Sequence, residues 1–340
     1  MKVAIIGPFC LPFIRGNSLS IYRLVSGLMD RGVEVKAFCL PEYADKRDVY
    51  KEIASFKPDI IHGFHAYKTG RIVQVLKKRT GLPLVISLRG TDFNIDLFDK
   101  RKRPVVVKTL EMADKIIVFA PFTRDIILKE VPSLKKNSIH IIPHAVSLEK
   151  KAYHVLDALS LKKGHFIFFV PAGIRGVKNV DLALKPLKRL KKQYPEIRLV
   201  YAGAVIDKRS GQGFIKKIKG LDWVTYLGAV PHERMYGLYR ASHVVVNSSL
   251  SEGMPNSILE AMSLGKPVLV SNIPGNRAII KDRKDGLLFE GEEEFEKKAE
   301  KLLKDKDLRK RLGQEAKKRI QLAHSPKREC DEHIRIYKEL

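Results

Sequence analysis

Twelve short apolar runs, each too brief for a helix, alternate with helix-spaced segments along 340 residues, and the alternation occurs twice in series. In the first half the runs are Lys2–Gly7, Val33–Leu40, Asp59–Phe64, Pro83–Leu88, Lys115–Ala120 and Ile139–Pro143. In the second they are Phe166–Val170, Arg198–Ala204, Val224–Leu227, His243–Ser248, Pro267–Ser271 and Leu287–Phe289. Continuous rather than alternating apolarity marks strands covered on both faces, and strands separated by helices give parallel sheets. The expectation is an α/β protein of two Rossmann-like doubly wound domains facing each other across a cleft. Such sheets bind ligands at the carboxyl ends of their strands.

The pattern weakens over Lys150–Gly164, the candidate linker. The expected domains are 1–160, 161–323, and a C-terminal helix at 324–340 packing back on the first. Ser18–Arg31 has helical spacing, with Asn17 or Ser18 as cap and Gly32 as stop. The opening, Met1–Phe13, has a signal-like apolar character, but Gly7, Pro8 and Pro12 interrupt it and no small-residue cleavage site follows. It reads as a first buried strand. Apolar residues make up 44% and charged residues 30%, which excludes a disordered chain. Cys10, Cys39 and Cys330 are widely spaced and odd in number, which fits a reducing cytoplasm and no metal site.

The net charge of +26 is shared: residues 1–160 carry 27 basic against 16 acidic side chains, the remainder 37 against 22. Two readings stand side by side. One is attraction to anionic partners, including an anionic membrane surface touched peripherally from the cytoplasm. The other is a Lys-rich thermophile surface. A third, nucleic-acid binding, lacks a recognised motif or an aromatic-interleaved basic stretch, so no specific nucleic-acid partner is expected.

The segment Ser248 to Met262 is the most informative. A buried strand ends, a polar loop carries Glu252, Gly253 and Met254, Pro255 takes the first helical position, and Asn256 and Glu260 follow at i and i+4 on one helix face. A helix start offers N–H groups to phosphates. The sequence E-G-M-P-N-S-I-L-E-A-M, with Glu252 and Glu260 as Glu-x7-Glu, resembles the signature of retaining glycosyltransferases of family four, the glycosyl transferases group 1 of GT-B type. So do Val224–Gly228, Gly265–Val268 and Ala172–Asn179, and the resemblance is strongest over residues 165–290.

The resemblance implies site residues. Glu252 would contact the transferred sugar, with the backbone of Gly253, Met254, Pro255 and Asn256. Glu260 would hold the ribose, and Arg175 and Lys178 the diphosphate. Gly16 would let the first domain's backbone approach the donor. Arg89 stands where relatives more often have His. With Asp92 and His62 it forms the acceptor-side candidate set; a guanidinium there suits an anionic acceptor, and pairing of Arg89 with Asp92 is an equal reading. The substrate would be a UDP-, GDP- or ADP-sugar, with no cofactor. Asp305-Lys306-Asp307 has the spacing of a metal-binding carboxylate pair but lies in a Lys-rich helical stretch, so it reads as solvated surface and no metal is expected. The competing enzyme class is a nucleotide-sugar epimerase on the same fold.

Overall fold

The computed structural model describes residues 1–8, 16–43, 45–148, 162 and 164–340. Within these the chain divides into two units, one of Met1–Ala145 with His324–Leu340, the other of Val146–Ala323. The division thus falls at Ala145/Val146, ahead of the 160/161 boundary read from the sequence. Most of the candidate linker lies outside the described residues, as do Cys10 and Arg15.

In the first unit, strands β1 (Lys2–Gly7), β2 (Glu34–Cys39), β3 (Ile60–Phe64), β4 (Leu84–Ser87), β5 (Lys115–Val118) and β6 (Ile139–Ile141) form a parallel sheet in the order β2-β1-β3-β4-β5-β6. Side chains alternate across a strand, and β1 shows why it is apolar throughout. Val3 and Ile5 enter one core with Leu24, Leu28 and Tyr337, while Ala4 and Ile6 enter the other with Ile53, Val73 and Leu110. Each Val, Ile or Leu among them, fully buried, contributes about 1.5–3 kcal/mol. The helix Pro326–Lys338 closes the first of these cores through Cys330, Ile336 and Tyr337.

The second unit repeats the plan. Strands β7 (Phe166–Pro171), β8 (Ile197–Ala202), β9 (Val224–Tyr226), β10 (Val244–Asn247), β11 (Val268–Ser271) and β12 (Leu287–Phe289) are parallel in the order β12-β11-β10-β7-β8-β9. The order runs outward from β7 in one direction and from β10 in the other. The two central neighbours therefore form the switch point where a doubly wound sheet opens a crevice.

Three expectations need correction. The first helix begins at Gly16, so Asn17 and Ser18 sit inside it rather than capping it. Pro255 is the residue before the helix Asn256–Ser263, with extended backbone, rather than its first member. Cys39 is disulfide-bonded, so the cysteines are not all reduced; distance along the chain does not measure distance in the fold. Cys330 is a buried free thiol.

Candidate functional site

Chemistry-bearing side chains of the second unit gather at the β7/β10 switch point. After β7 the backbone makes a single 3-10 turn, Gly176–Lys178, and Asn179 follows in the left-handed region at φ 44°. That turn is tied to the loop after β10: Leu250 N–H donates to the Val177 carbonyl at 2.8 Å, and Ser248 Oγ to the Asn179 carbonyl at 2.8 Å. It carries Lys178 to Glu252.

Glu252 Oε1 accepts three hydrogen bonds, from Lys178 Nζ at 2.5 Å, Ser249 Oγ at 2.7 Å and Asn247 Nδ2 at 3.1 Å. Burial alone would raise this carboxyl's pKa. The Lys178 charge, with the hydrogen bonds from Lys178, Ser249 and Asn247, outweighs it and holds the group below the ordinary carboxylate range. Glu252 is thus a largely buried anion at neutral pH. Arg175, on the same turn, is half-buried and engages no side-chain partner among the described residues.

A second row of residues fixes Glu252 from the end of β11 and the short helix Pro274–Arg277 that follows it. Asn276 Nδ2 donates to Asn247 Oδ1 at 3.2 Å, and Ser271 Oγ donates to the Ser249 carbonyl at 2.6 Å. Gly275 lies so close beneath the loop that a Cβ there would stand 2.4 Å from the Glu252 carbonyl oxygen. Gly253, Met254 and Pro255 are buried in the same loop, and Asn256 opens the helix. The first N–H groups of any helix lack intrahelical acceptors, so this start offers donors beside the Arg175–Lys178 turn.

Glu260, one helical turn further on, is buried but does not reach Glu252's partners. Its Oε2 accepts from Tyr239 Oη at 2.7 Å, and its Oε1 lies 3.0 Å from His232 Nε2. Burial, with the neighbouring carboxylate, pushes the Tyr239 hydroxyl well above its ordinary value, so it stays a donor.

In the first unit Arg89 follows β4. Its guanidinium is sandwiched between the rings of Phe119 (4.7 Å) and Phe64 (5.1 Å) and lines a small cavity with Ser20, Ser87, Glu329 and His333. Burial lowers its pKa to about 10, opposed by Glu329, which leaves it charged at neutral pH. Two candidates beside it are reassigned by their surroundings. Asp92 is fully buried and accepts backbone N–H groups from Gly90 (2.9 Å), Arg89 (3.0 Å) and Ala66 (3.1 Å), so it shapes the loop and presents no carboxylate to a ligand. His62 is also fully buried, with Nδ1 2.6 Å from Tyr337 Oη and Nε2 2.8 Å from Ser87 Oγ. Both ring nitrogens are committed, so it fastens the C-terminal helix rather than facing an acceptor. Gly16 opens the helix Gly16–Met29, directly after the undescribed residues 9–15.

Two family matches together take in most of the chain. Residues 155–319 match Glycosyl transferases group 1, and residues 40–150 match Glycosyltransferase Family 4. The chain belongs to the group 1 glycosyltransferases.

This group 1 glycosyltransferase is 28% identical over 331 residues to glycosyltransferase 1 domain-containing protein 1 of Xenopus tropicalis, covering 95% of this chain and 94% of that one. It is also 28% identical over 263 residues to the UDP-Gal:alpha-D-GlcNAc-diphosphoundecaprenol alpha-1,3-galactosyltransferase of Escherichia coli, covering 71% and 65%. Among solved structures it resembles sucrose-phosphate synthase from Thermosynechococcus elongatus (TM-score 0.83, 18% identity, 100% and 98% coverage). It likewise resembles Anabaena HepE in complex with UDP-glucose (TM-score 0.82, 14% identity, 100% of both chains). These likenesses give the fold as GT-B. The activity class is glycosyl transfer.

Within this glycosyltransferase, sequence reasoning missed the residues that hold the carboxylates: Asn247, Ser249, Gly275 and Asn276 around Glu252, and His232 and Tyr239 around Glu260. Asn247 and Ser249 flank the quoted motif and were within reach. Gly275 had a signal of its own, a Pro-Gly just after a strand. Tyr239 and His232 lie on a helix 21 and 28 residues upstream of Glu260, and no local pattern joins them. Asp305 and Asp307 are exposed at a helix start, as read.

Proposed function

We propose that this enzyme moves a sugar from a UDP-, GDP- or ADP-sugar to an acceptor bearing an anionic group, with retention of anomeric configuration and without a metal ion. The observation that carries the reading is the Lys178–Glu252 pair at 2.5 Å, with Arg175 on the same turn and without a side-chain partner among the described residues. Two cations at a switch point suit a diphosphate, and they can take up the charge that develops on it as the glycosidic bond breaks. Lys178 then divides itself between the diphosphate and Glu252, so sugar and leaving group are held through one ammonium. Glu252 faces the sugar, and its fixed negative charge favours an oxocarbenium-like transition state. Glu260 takes the ribose hydroxyls with the oxygen lone pairs that Tyr239 and His232 leave open.

Arg89 supplies the acceptor-side charge. The Escherichia coli relative is named for an acceptor that joins a diphosphate to a lipid. An acceptor of that chemistry would combine an anion for Arg89 with a membrane anchor, in keeping with an enzyme that touches an anionic membrane peripherally. No helix among the described residues is long and apolar enough to cross a membrane.

The test is a thermal-shift series against UDP-, GDP- and ADP-sugars, followed by proton NMR of the product. One donor at 100 times its dissociation constant should add about 2.7 kcal/mol of stability. The product should keep the donor's anomeric configuration, and transfer should persist in EDTA. No shift with any donor rejects the nucleotide-sugar reading. An inverted product rejects retention, and loss of transfer in EDTA restored by magnesium or manganese rejects metal independence.

A further inference from the structure

We propose that Ile95 and Phe98, together with Lys100 and Arg101, form the surface by which this enzyme docks on an anionic lipid bilayer. The inference rests on the peripheral-membrane reading above and gives it an address. The chain from Asp92 to Asp96 forms a widened, π-type helical turn, with Leu97 N–H donating to the Asp92 carbonyl at 3.0 Å. One side of the turn is driven inward: Phe93 and Leu97 belong to the core of the first unit. The opposite side turns Ile95 (43% exposed) and Phe98 (56% exposed) into solvent. They lie three residues apart on successive turns, since Phe98 N–H donates to the Ile95 carbonyl at 3.1 Å, so they share a face.

Four basic residues follow at once, Lys100, Arg101, Lys102 and Arg103. Two are spent inside the protein: Lys102 Nζ binds Asp96 at 2.8 Å, and Arg103 Nη1 binds Glu130 at 2.9 Å. Lys100 and Arg101 are exposed and carry no ion pair among the described residues. None of the segment's carboxylates forms an ion pair with them among the described residues. Asp92 is buried under backbone N–H groups, Asp96 is held by Lys102, and Asp99 accepts the backbone N–H groups of Arg101 (2.8 Å) and Lys102 (3.2 Å).

The result is an exposed aromatic and aliphatic pair rimmed by two cations that form no ion pair among the described residues. A bilayer of anionic lipids matches both parts, with headgroups for the cations and the acyl boundary for Phe98 and Ile95. A soluble polyanion would answer the cations and leave two large apolar side chains without a role.

The experiment is sedimentation of the full chain with vesicles of phosphatidylglycerol and phosphatidylcholine in equal parts, against phosphatidylcholine alone, at low and physiological salt. The wild type should bind the anionic vesicles and not the neutral ones. I95S/F98S should weaken that binding at least about tenfold. K100Q/R101Q should weaken it about 25-fold, since each basic residue near an anionic surface is worth roughly fivefold. All four positions are exposed, so both variants should keep the wild-type melting temperature and donor affinity.

Failure of the wild type to bind anionic vesicles overturns the membrane reading and this surface with it. Binding by the wild type that both variants retain overturns the surface alone. Weakening by K100Q/R101Q only, matched by equal weakening toward RNA, replaces the bilayer with a polyanion. None of these outcomes touches the nucleotide-sugar reading, which donor binding tests separately.

Discussion

Glu252 concentrates three donors on a single oxygen, and one of them is a charged ammonium that the leaving group is proposed to share. Removing it has two separable effects. Lys178→Ala leaves a largely buried carboxylate without its charged partner, though Asn247 and Ser249 still donate to it. Breaking a fully buried pair costs about 3–5 kcal/mol, with the lower end expected here because Lys178 retains 17% exposure. The same variant should lose about a hundredfold or more in kcat at saturating donor. Calorimetric melting and steady-state kinetics separate the two; wild-type turnover at saturating donor rejects the diphosphate role of Lys178. Gly275→Ala acts by position rather than charge. Its Cβ would meet the Glu252 backbone at 2.4 Å, so the loop must shift, and a displacement near 1 Å at reacting groups can cost about a hundredfold. Unchanged kcat in that variant would show that the loop's placement is not critical. Glu260→Ala should weaken nucleotide-sugar binding by about 1.5–3 kcal/mol, as expected for a hydrogen bond to a charged group. Unchanged donor affinity in calorimetry removes Glu260 from the ribose. The carboxylates themselves were legible, because a motif of fixed spacing bridges one loop and one helix. Of their supports, Asn276 and Tyr239 were not, because they reach the carboxylates through strand order and helix packing, which local periodicity does not encode.

At the scale of the element, the helix Pro326–Lys338 is fastened by polar groups inside an apolar contact. Arg23 donates to Glu329 through Nε (2.9 Å) and Nη2 (3.0 Å), Ala145 N–H reaches Glu329 at 3.3 Å, and Tyr337 meets His62. Burial pushes His62, His144 and His333 below their ordinary value, His144 to about 3. Glu329 is held well below the carboxylate range: burial opposes ionisation, and the Arg23 charge overcomes it. Both kinds of shift act in the same direction. A histidine whose folded pKa is depressed binds its proton more readily when unfolded, so its stabilising effect fades as pH falls below about 6.5. The depressed carboxylate adds a further loss below about 4.5. With these three histidines neutral in the fold, stability should fall as pH drops from 6 to 4, each contributing at most about 1.4 kcal/mol per pH unit. A flat stability profile over that window, measured by denaturant melts, would contradict the neutral buried cluster. Glu329→Gln should lower stability by about 3–5 kcal/mol, because Arg23 stays buried without its counter-ion. The strands were readable within a residue or two because both-face burial makes them apolar end to end. The π-type turn at Asp92–Asp96 was not, since its residues show neither periodicity.

At the scale of the whole molecule, the first unit is assembled from two stretches of chain that the second unit separates. Lys306–Ala323 and Pro326–Lys338 are neighbours in sequence yet belong to different units. In native-state hydrogen exchange, amides of Pro326–Lys338 should therefore open with β1–β6, and those of Lys306–Ala323 with β7–β12. Exchange of the two helices at one common free energy would contradict the division. The arrangement also sets an order of events at the ribosome. After Ala145 is made, 323 − 145 = 178 residues must be added before His324 appears, an interval of about 10–35 s at ordinary synthesis rates. Throughout it, the sheet face of Val3, Ile5 and Ile60, with Leu24 and Leu28, lacks the Cys330, Ile336 and Tyr337 that later cover it. The nascent chain therefore carries an unfinished first half while its second half folds, and the half that is made first is completed last.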